Sequence, residues 1–269
     1  MTVNLAIVSG GYPTRYRSHI NHDLYARIHG LPFYLDSTRY EGLQTPHFHK
    51  IRAVLRVLDR HDWVLWMDDD GFFMDFEQDV RRFVGDVPDE VFFVACRSPV
   101  NPQGDWTFLS AGTFFIRNCA EGVRFLDEAF RTPKAVVNAQ WRPETFGRLT
   151  PGEQAHLIHV LHRDGLLSRV ILHDWPAFNA RPYHWTPGAP PDLHPVVHFP
   201  GVVGDRAQAI AAFGARFGMD DSLSPPALLD RYGAAAEAPI TRPGRVRRLA
   251  GGVARRLKGL WRRASARTG

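Results

Sequence analysis

The stretch that decides the fold is Trp63-Val64-Leu65-Trp66-Met67-Asp68-Asp69-Asp70-Gly71, in which an apolar run ends in three aspartates and a glycine. An apolar run of this length predicts a strand that is covered on both faces. Ligands of open α/β sheets bind beyond the carboxyl ends of the strands. Because adjacent carboxylates repel one another, a cation such as Mg²⁺ or Mn²⁺ is expected to offset them. The alternative is a solvated acidic turn.

Strands and helices alternate along the chain on both sides of this stretch. Apolar runs bounded by turn residues predict strands at 3–8, 32–35, 91–95, 113–116, 170–172 and 196–199. Helical spacing of apolar residues predicts helices at 19–29, 46–60 and 153–161, and another through Val123, Leu126 and Phe130. Ser18 is expected to cap the first helix and Gly30 to end it. This alternation predicts an α/β fold with a mainly parallel sheet.

Composition excludes several classes of protein. The chain has 269 residues, 44% of them hydrophobic and 23% charged, which is typical of a globular protein and not of a disordered or fibrous one. Cys96 and Cys119 are too few for a disulfide framework and suit a reducing compartment. The sequence has no run of 18 apolar residues and no secretory signal, so we expect a cytoplasmic protein.

Charge divides the chain into two parts. Ten of the 33 basic residues lie in 242–267, so the first 241 residues carry 23 basic groups and all 28 acidic ones. We therefore predict a domain at 1–238 and a basic tail at 239–269, and we expect no nucleic-acid binding by the acidic domain. In the tail, apolar residues at helical spacing with Trp261 beside them predict an amphipathic helix on an anionic membrane surface. A disordered basic tail and a nucleic-acid-binding tail are the alternatives.

Three other segments carry candidate chemistry. His198 follows the apolar pair Val196-Val197 and is a candidate third metal ligand, although a histidine in this setting is more often a core residue. Gly112 precedes an aromatic strand and would let a sugar or phosphate approach the backbone. Glu153 and Gln154 begin a helix, where they would meet a ligand or favour the helix dipole.

Taken together and in this order, the segments resemble the family 34 glycosyltransferases, the galactosyl-, mannosyl- and xylosyltransferase group. The resemblance covers about residues 1–215 and depends most on the Trp66-Met67-Asp68-Asp69-Asp70 element and its spacing to the others. The other matching segments are 21–30, His49-Lys50-Ile51, 63–75, 110–118, Glu153-Gln154 and 198–201.

The resemblance implies a GT-A fold and a metal-dependent, retaining sugar transfer. The donor would be a nucleotide sugar, with a UDP-linked hexose or pentose expected, and an α-linkage to a hydroxyl acceptor would form with Mn²⁺ or Mg²⁺ as cofactor. Asp68, Asp70 and His198 would hold the metal, and Gln154 and Glu153 would lie beside the donor sugar as catalytic residues. The residues implied to bind the donor are Ser9, Gly10, Lys50, Asp69, Gly112 and Gly201.

Two departures from the family bear on the donor site. Val203 stands where the family often has a lysine that touches the diphosphate, so Arg206, Lys50 or Arg97 would have to serve. Gly152 replaces the first of two acids before Gln154. We expect no N-terminal membrane anchor of the kind that eukaryotic members carry, and the 30 arginines against three lysines are typical of a G+C-rich bacterial genome. A bacterial cytoplasmic relative is expected, acting on a saccharide, lipid-linked or small-molecule acceptor.

Two other classes of protein fit the same residues. A strand that ends in an Asp-Xaa-Asp element would also serve a hydrolase or nucleotidyltransferase that acts on nucleotide sugars. A binding protein with a degenerate site, recruited to an anionic surface by its tail, is the second alternative.

Overall fold

The computed structural model describes residues 3–201 and 205–233. The predicted tail at 239–269 and Val203 lie outside the described residues. Within them, eight strands run in chain order: β1 (Leu5–Gly10), β2 (Phe33–Asp36), β3 (Trp63–Asp68), β4 (Gly71–Phe73), β5 (Phe93–Cys96), β6 (Ser110–Arg117), β7 (Val170–His173) and β8 (Val196–His198).

Helices separate most of these strands. They are α1 (Ser18–His29), α2 (His49–Leu55), α3 (Ala120–Arg131), α4 (Lys134–Ala139), α5 (Pro143–Phe146), α6 (Glu153–Arg163), α7 (Arg206–Ala215) and α8 (Pro226–Tyr232). None of the helices in the described ranges is long and apolar enough to cross a bilayer.

Six strands form the central sheet in the order β2-β1-β3-β6-β5-β7. β1 pairs in parallel with both β2 and β3, and β5 pairs in parallel with β7. β6 runs antiparallel to its neighbours β3 and β5. The prediction of an α/β fold with a mainly parallel sheet is therefore confirmed, with β6 as the reversed strand.

The two faces of β3 pack into different apolar clusters. Val64 and Trp66 join a cluster that includes residues of α2, α3 and α6. Trp63, Leu65 and Met67 join a second cluster that includes residues of α1. Because alternate side chains of a strand point to opposite faces, a strand covered twice has to be apolar throughout. This is the reason for the unbroken apolar run in the sequence.

The helix predictions need three corrections. The helix predicted at 46–60 is not continuous, because α2 covers only His49–Leu55 and the flanking Pro46–Phe48 and Leu58–Arg60 form 3₁₀ turns. Ser18 is the first residue of α1 and not its cap, since the capping position is Arg17 and no side chain caps the helix. Gly30 does end that helix in the left-handed conformation, with φ of 62°. On α3, Val123 is 42% exposed, while Phe125 and Leu126 are buried. The amphipathic face is therefore shifted, because short apolar spacings fit more than one helix face.

The sequence pattern missed strand β4. It pairs antiparallel with β8, with Gly71 opposite His198, and forms a separate two-stranded ribbon. At three residues, β4 is too short to give a periodic signal, and only its long-range partner stabilises it as a strand. This ribbon brings the residues after β3 against a segment more than 100 positions later in the chain.

Candidate active site

Three successive aspartates lie at the end of β3, and their carboxylates have different partners. Asp68 is the last residue of the strand, and its carboxylate lies 2.8 Å from the ammonium of Lys50 on α2. Asp69 is bound by Arg15, which precedes α1 on the other face and lies 2.6 Å away. Asp70 leads into β4 and faces His198. Asp69 and Asp70 lie in the turn between β3 and β4, so their carboxylates are directed to different partners.

His198 completes a cluster of three metal-ligand side chains. The Gly71–His198 pairing of the β4–β8 ribbon places His198 Nε2 3.2 Å from Asp70 Oδ1 and 3.9 Å from Asp68 Oδ2. One ligand atom from each of the three residues lies within 4.8 Å of the others. Ligands at right angles around an ion with bonds of about 2.1 Å lie about 3 Å apart, so these separations suit a divalent cation.

The protein holds each carboxylate of this metal-ligand cluster by one oxygen and leaves the other directed at His198. Asp68 Oδ1 accepts a hydrogen bond from Trp66 Nε1 at 2.7 Å and also pairs with Lys50. Asp70 Oδ2 accepts a hydrogen bond from Arg206, whereas Asp70 Oδ1 is buried and accepts none from any described residue. A buried carboxylate oxygen without a donor is costly, and a cation would remove that cost.

The imidazole of His198 is fixed from behind by two buried residues. Asn179 Oδ1 lies 3.2 Å from His198 Nδ1 and accepts a hydrogen bond from Arg181 at 2.7 Å. Because a guanidinium only donates, the Asn179 atom it touches has to be the oxygen. An oxygen only accepts from the ring, so Asn179 favours the tautomer with the proton on Nδ1 and a lone pair on Nε2, which is the form that a metal ligand needs. Arg181, which lies 3.4 Å from Nδ1 and only donates, opposes this tautomer.

Charge in this region is balanced by buried cations. Burial disfavours the charged form of Asp70, but His198, Arg206 and Arg15 outweigh it and hold the pKa of Asp70 below its ordinary value. Burial lowers the pKa of His198 while Asp70 acts to raise it, and the neutral ring that burial favours is the form that a metal ligand needs. Burial also lowers the pKa of Arg181 to about 10, but the guanidinium is still charged at neutral pH.

Lys50 joins the metal-ligand cluster to the start of α6. Its ammonium lies 2.8 Å from Asp68 and 2.7 Å from Glu153, and it donates to the Ala111 carbonyl at 2.8 Å. Burial disfavours the ammonium, but the two carboxylates outweigh it and raise the pKa of Lys50. All three of its protons therefore have acceptors within the protein. Gln154, the next residue after Glu153, accepts from the Ala111 amide and donates to Thr107.

Gly112 has a packing role next to the metal-ligand cluster. A Cβ atom on Gly112 would lie 2.0 Å from the Cε1 atom of His198. Any side chain at this position would displace the imidazole, so the absence of one allows His198 to reach the carboxylates. Contact of Gly112 with a donor, which the sequence suggests, stays a prediction.

Comparisons with known proteins identify the architecture. No family model matches the chain. The chain is similar over 76% of its length to a solved glycosyltransferase involved in the glycosylation of the major capsid of PBCV-1, with 17% identity, a TM-score of 0.56 and 96% of that chain covered. This chain has a GT-A fold. The metal-ligand cluster follows β3 of the GT-A sheet, beyond the carboxyl ends of β1 and β3, where open α/β folds bind ligands.

Its curated relatives are plant glycosyltransferases. Probable glycosyltransferase 6 of Oryza sativa subsp. indica is 28% identical over 123 residues, which are 44% of this chain and 25% of that protein. Galactomannan galactosyltransferase 1 of Cyamopsis tetragonoloba is 25% identical over 138 residues, 46% of this chain and 31% of that protein. The chain thus matches between a quarter and a third of the length of these two relatives.

The remaining residues predicted to bind the donor lie around the same edge of the GT-A sheet. Ser9 and Gly10 end β1 and do not follow it, and Gly10 lies beside Asp68 in the sheet register. The Ser9 hydroxyl is enclosed and has no hydrogen-bond partner among the described residues. Both oxygens of Asp69 are bound by Arg15. Gly201 is exposed in the turn after β8. Donor contacts by these residues stay predictions.

Sequence reasoning missed the residues that orient the metal-ligand cluster. They are Arg15, Trp66, Asn179 and Arg181, of which Trp66 stood within the quoted strand but was read as core alone. The indole of Trp66 reaches Asp68 because residues two apart on a strand share a face. Asn179 and Arg181 sit in a loop without a periodic signal, and only the folded chain brings them to His198.

Proposed function

We propose that this protein is a metal-dependent, retaining glycosyltransferase. It moves a hexose or pentose from a nucleotide donor, for which UDP is the expected nucleotide, to a hydroxyl acceptor and forms an α-glycosidic bond. The observation that carries this proposal is the cluster of Asp68, Asp70 and His198, whose unanchored ligand atoms face one another at the edge of a GT-A sheet. The glycosyltransferase relatives support the same reaction class.

The donor set of the metal-ligand cluster fits a hard divalent cation. Two carboxylate oxygens and one imidazole nitrogen suit Mn²⁺ or Mg²⁺, and open positions would remain for phosphate oxygens. When bound, the ion neutralises the diphosphate leaving group as the bond between the sugar and the oxygen breaks. Trp66 and Lys50 hold Asp68 in place for this ligand set, and Asn179 holds His198.

Lys50 and Arg206 take different roles in this proposal. The three acceptors around Lys50 occupy its ammonium, so Lys50 orients Asp68 and Glu153 and reaches the diphosphate only if it leaves them. Arg206 begins α7, and its side chain is 23% exposed where it meets Asp70. Because Arg206 binds Oδ2 of Asp70 and not Oδ1, its guanidinium lies beside the metal-ligand cluster with the charge to contact the diphosphate.

Gln154 and Glu153 form the side of the site that would face the donor sugar. Gln154 is half-buried and held through both ends of its amide, so its position is defined before any ligand binds. Glu153 is buried and ion-paired with Lys50 beside the metal-ligand cluster. We assign Gln154 to the support of the positively charged sugar carbon that develops in glycosyl transfer.

A thermal-shift screen tests the proposal. Nucleoside diphosphates and nucleotide sugars are each added with and without Mn²⁺, and a ligand that binds only the folded state raises the melting temperature. We expect a nucleotide that stabilises the protein only with Mn²⁺, followed by an α-linked product in proton NMR. Hydrolysis of the nucleotide sugar faster than transfer to every acceptor would indicate a hydrolase, and a β-linkage would refute retention.

We further propose that the basic tail binds an anionic membrane surface at the cytoplasmic face. The tail has ten basic residues and no acidic residue, which supports this role. Each basic residue near an anionic surface contributes about 1 kcal/mol to the binding free energy. The full chain should co-sediment with phosphatidylglycerol vesicles and not with phosphatidylcholine vesicles. Equal binding to both, or to neither, would contradict a membrane role for the tail.

A further inference from the structure

A second concave site lies apart from the metal-ligand cluster. It has a volume of about 610 Å³, within the range of about 300–1,000 Å³ in which small-molecule sites fall. We call it the indole pocket. The residues that line it include Asp105, Trp106, Asn138, Trp141, Arg148 and Leu149.

Trp106 is the exposed aromatic residue of the indole pocket. Its side chain is 37% exposed, although tryptophan usually buries its large apolar ring. Within the described ranges, no ring or cation stacks on Trp106 and its indole N–H has no hydrogen-bond acceptor. The residue therefore offers a ligand both an apolar face and an unused donor.

The wall of the indole pocket is a built structure. Arg148 donates its backbone N–H to the Trp106 carbonyl at 2.8 Å, and Trp141 donates its indole N–H to the Gly147 carbonyl at 2.9 Å. A Cβ atom on Gly147 would lie 2.3 Å from the Trp106 carbonyl oxygen, and its φ of +71° also favours glycine. The glycine thus lets two chain segments meet so closely that both tryptophans line one pocket.

The polar groups of the indole pocket suit an uncharged, hydroxyl-rich ligand. Arg148 and Asp105 pair at 3.0 Å, with side chains that are 66% and 45% exposed, so their charges cancel while several of their donors and acceptors stay open. Asn138 adds an exposed amide. Neighbouring hydroxyls of a sugar match such paired groups, and the C–H face of a sugar ring packs on the negative face of an indole.

Hydrogen bonds connect the indole pocket to the metal-ligand cluster. Thr107, next to Trp106, accepts from Gln154 at 3.1 Å, and Gln154 accepts from the Ala111 amide at 2.9 Å. The Ala111 carbonyl accepts from Lys50 at 2.8 Å, and Lys50 pairs with Asp68. Gln154 therefore contacts both Thr107, the neighbour of Trp106, and a residue that Lys50 also binds.

We infer that the indole pocket is a saccharide subsite that holds the acceptor, with a sugar ring stacked on Trp106. The assignment of this saccharide as the acceptor rests on the proposed function. Saccharide binding in the indole pocket does not depend on that function. A charged ligand such as a nucleotide is disfavoured here because the Asp105–Arg148 pair leaves no net charge.

The test uses the full chain labelled with ¹⁵N and four probes: cellotetraose, mannotetraose, maltotetraose and lactose. The chain has seven tryptophans, and Trp106→Phe identifies the indole signal of Trp106 among theirs. We expect at least one probe to shift that signal at millimolar concentration. Trp106→Ala should weaken binding of the same probe by about tenfold or more, as loss of a central aromatic contact does.

Tyr183→Ala serves as the matched variant, because Tyr183 is also an exposed ring, at 46%, and lies outside the indole pocket. It should leave probe affinity unchanged. The inference is wrong if no probe moves the Trp106 signal, or if Trp106→Ala binds as tightly as the unmodified chain. Should Trp106→Ala fail to fold, the response of the Trp106 indole signal to the probes in the unmodified chain decides.

Mn²⁺-dependent nucleotide binding is measured on the same samples. Nucleotide binding without any saccharide effect at Trp106 contradicts the indole-pocket inference alone. Saccharide binding at Trp106 without nucleotide binding contradicts the proposed function alone.

Discussion

His22 and His198 are both buried and both lie beside Gly71, yet they have opposite surroundings. His22 Nε2 donates to the Gly71 carbonyl at 2.9 Å, and its ring packs edge-on against Phe33 and Phe73. His198 pairs with Gly71 across the ribbon and faces two carboxylates. A buried histidine is thus a candidate ligand only where unanchored acceptor atoms face it, and His22 is a structural residue.

The largest expected difference between the two histidines is in metal binding. His198→Gln and Asp70→Asn should each abolish Mn²⁺-dependent nucleotide binding, with a loss beyond the roughly 100-fold typical of outer partners. His22→Gln should leave that binding intact in protein that remains folded. Isothermal titration with Mn²⁺ and a nucleoside diphosphate measures both effects. If His198→Gln and His22→Gln lose nucleotide binding equally, the assignment of His198 as a ligand and His22 as a structural residue is wrong.

Of the two carboxylates that His198 faces, Asp68 depends on Lys50 for charge balance, and Lys50 also pairs with Glu153. Lys50→Met leaves buried Glu153 without its cation and should lower the free energy of unfolding by about 3–5 kcal/mol, as loss of one partner of a buried pair does. Adding Glu153→Gln should recover part of that loss. Urea denaturation followed by circular dichroism gives the values.

Arg131→Met is the matched control for the Lys50 variant. Arg131 pairs with Asp127 at 2.7 Å on the surface, where its side chain is 73% exposed. Its loss should leave the free energy of unfolding almost unchanged. If Lys50→Met lowers the free energy of unfolding no more than Arg131→Met does, the buried ion pair does not stabilise the fold more than a surface pair.

Asn179 provides a smaller test of the tautomer of His198. Asn179→Leu removes the acceptor for Nδ1–H and should weaken Mn²⁺ affinity by about 10–100-fold, whereas Asn179→Asp keeps an acceptor and should retain binding. Electron paramagnetic resonance counts free Mn²⁺ directly. A ¹⁵N spectrum of the histidines should show Nδ1 protonated in the unmodified chain. The same affinity in the Leu and Asp variants would contradict the positioning role.

The smallest expected effect is the pH dependence that His22 confers on stability. Burial lowers the pKa of His22 to about 3, well below the value of about 6.5 in an unfolded chain. Between these values only the unfolded state binds the proton, so stability falls as the pH decreases from 6.5. The slope is at most about 1.4 kcal/mol per pH unit. Urea midpoints at pH 7 and pH 5 should therefore differ less in His22→Gln than in the unmodified chain.

The elements of the central sheet were largely readable from local patterns. The strands through Leu65, Phe115 and Ile171 were predicted within a few residues, because each is an apolar run bounded by turn residues. Strand β4 and the orienting residues Asn179 and Arg181 were not predictable in this way. A three-residue strand and a loop arginine carry no periodicity, and their positions depend on partners far along the chain.

By itself, the sequence determined the alternation of strands and helices, the apolar strand that ends in three aspartates, and the candidacy of Asp68, Asp70 and His198. These follow from local chemistry, since apolar periodicity and adjacent carboxylates are visible without a fold. Only the tertiary structure decided that Asp69 turns to Arg15, that Lys50 is enclosed by acceptors, and that Gly112 makes room for His198. Such pairings depend on sheet register and on close approach between segments distant in sequence, which no local pattern encodes.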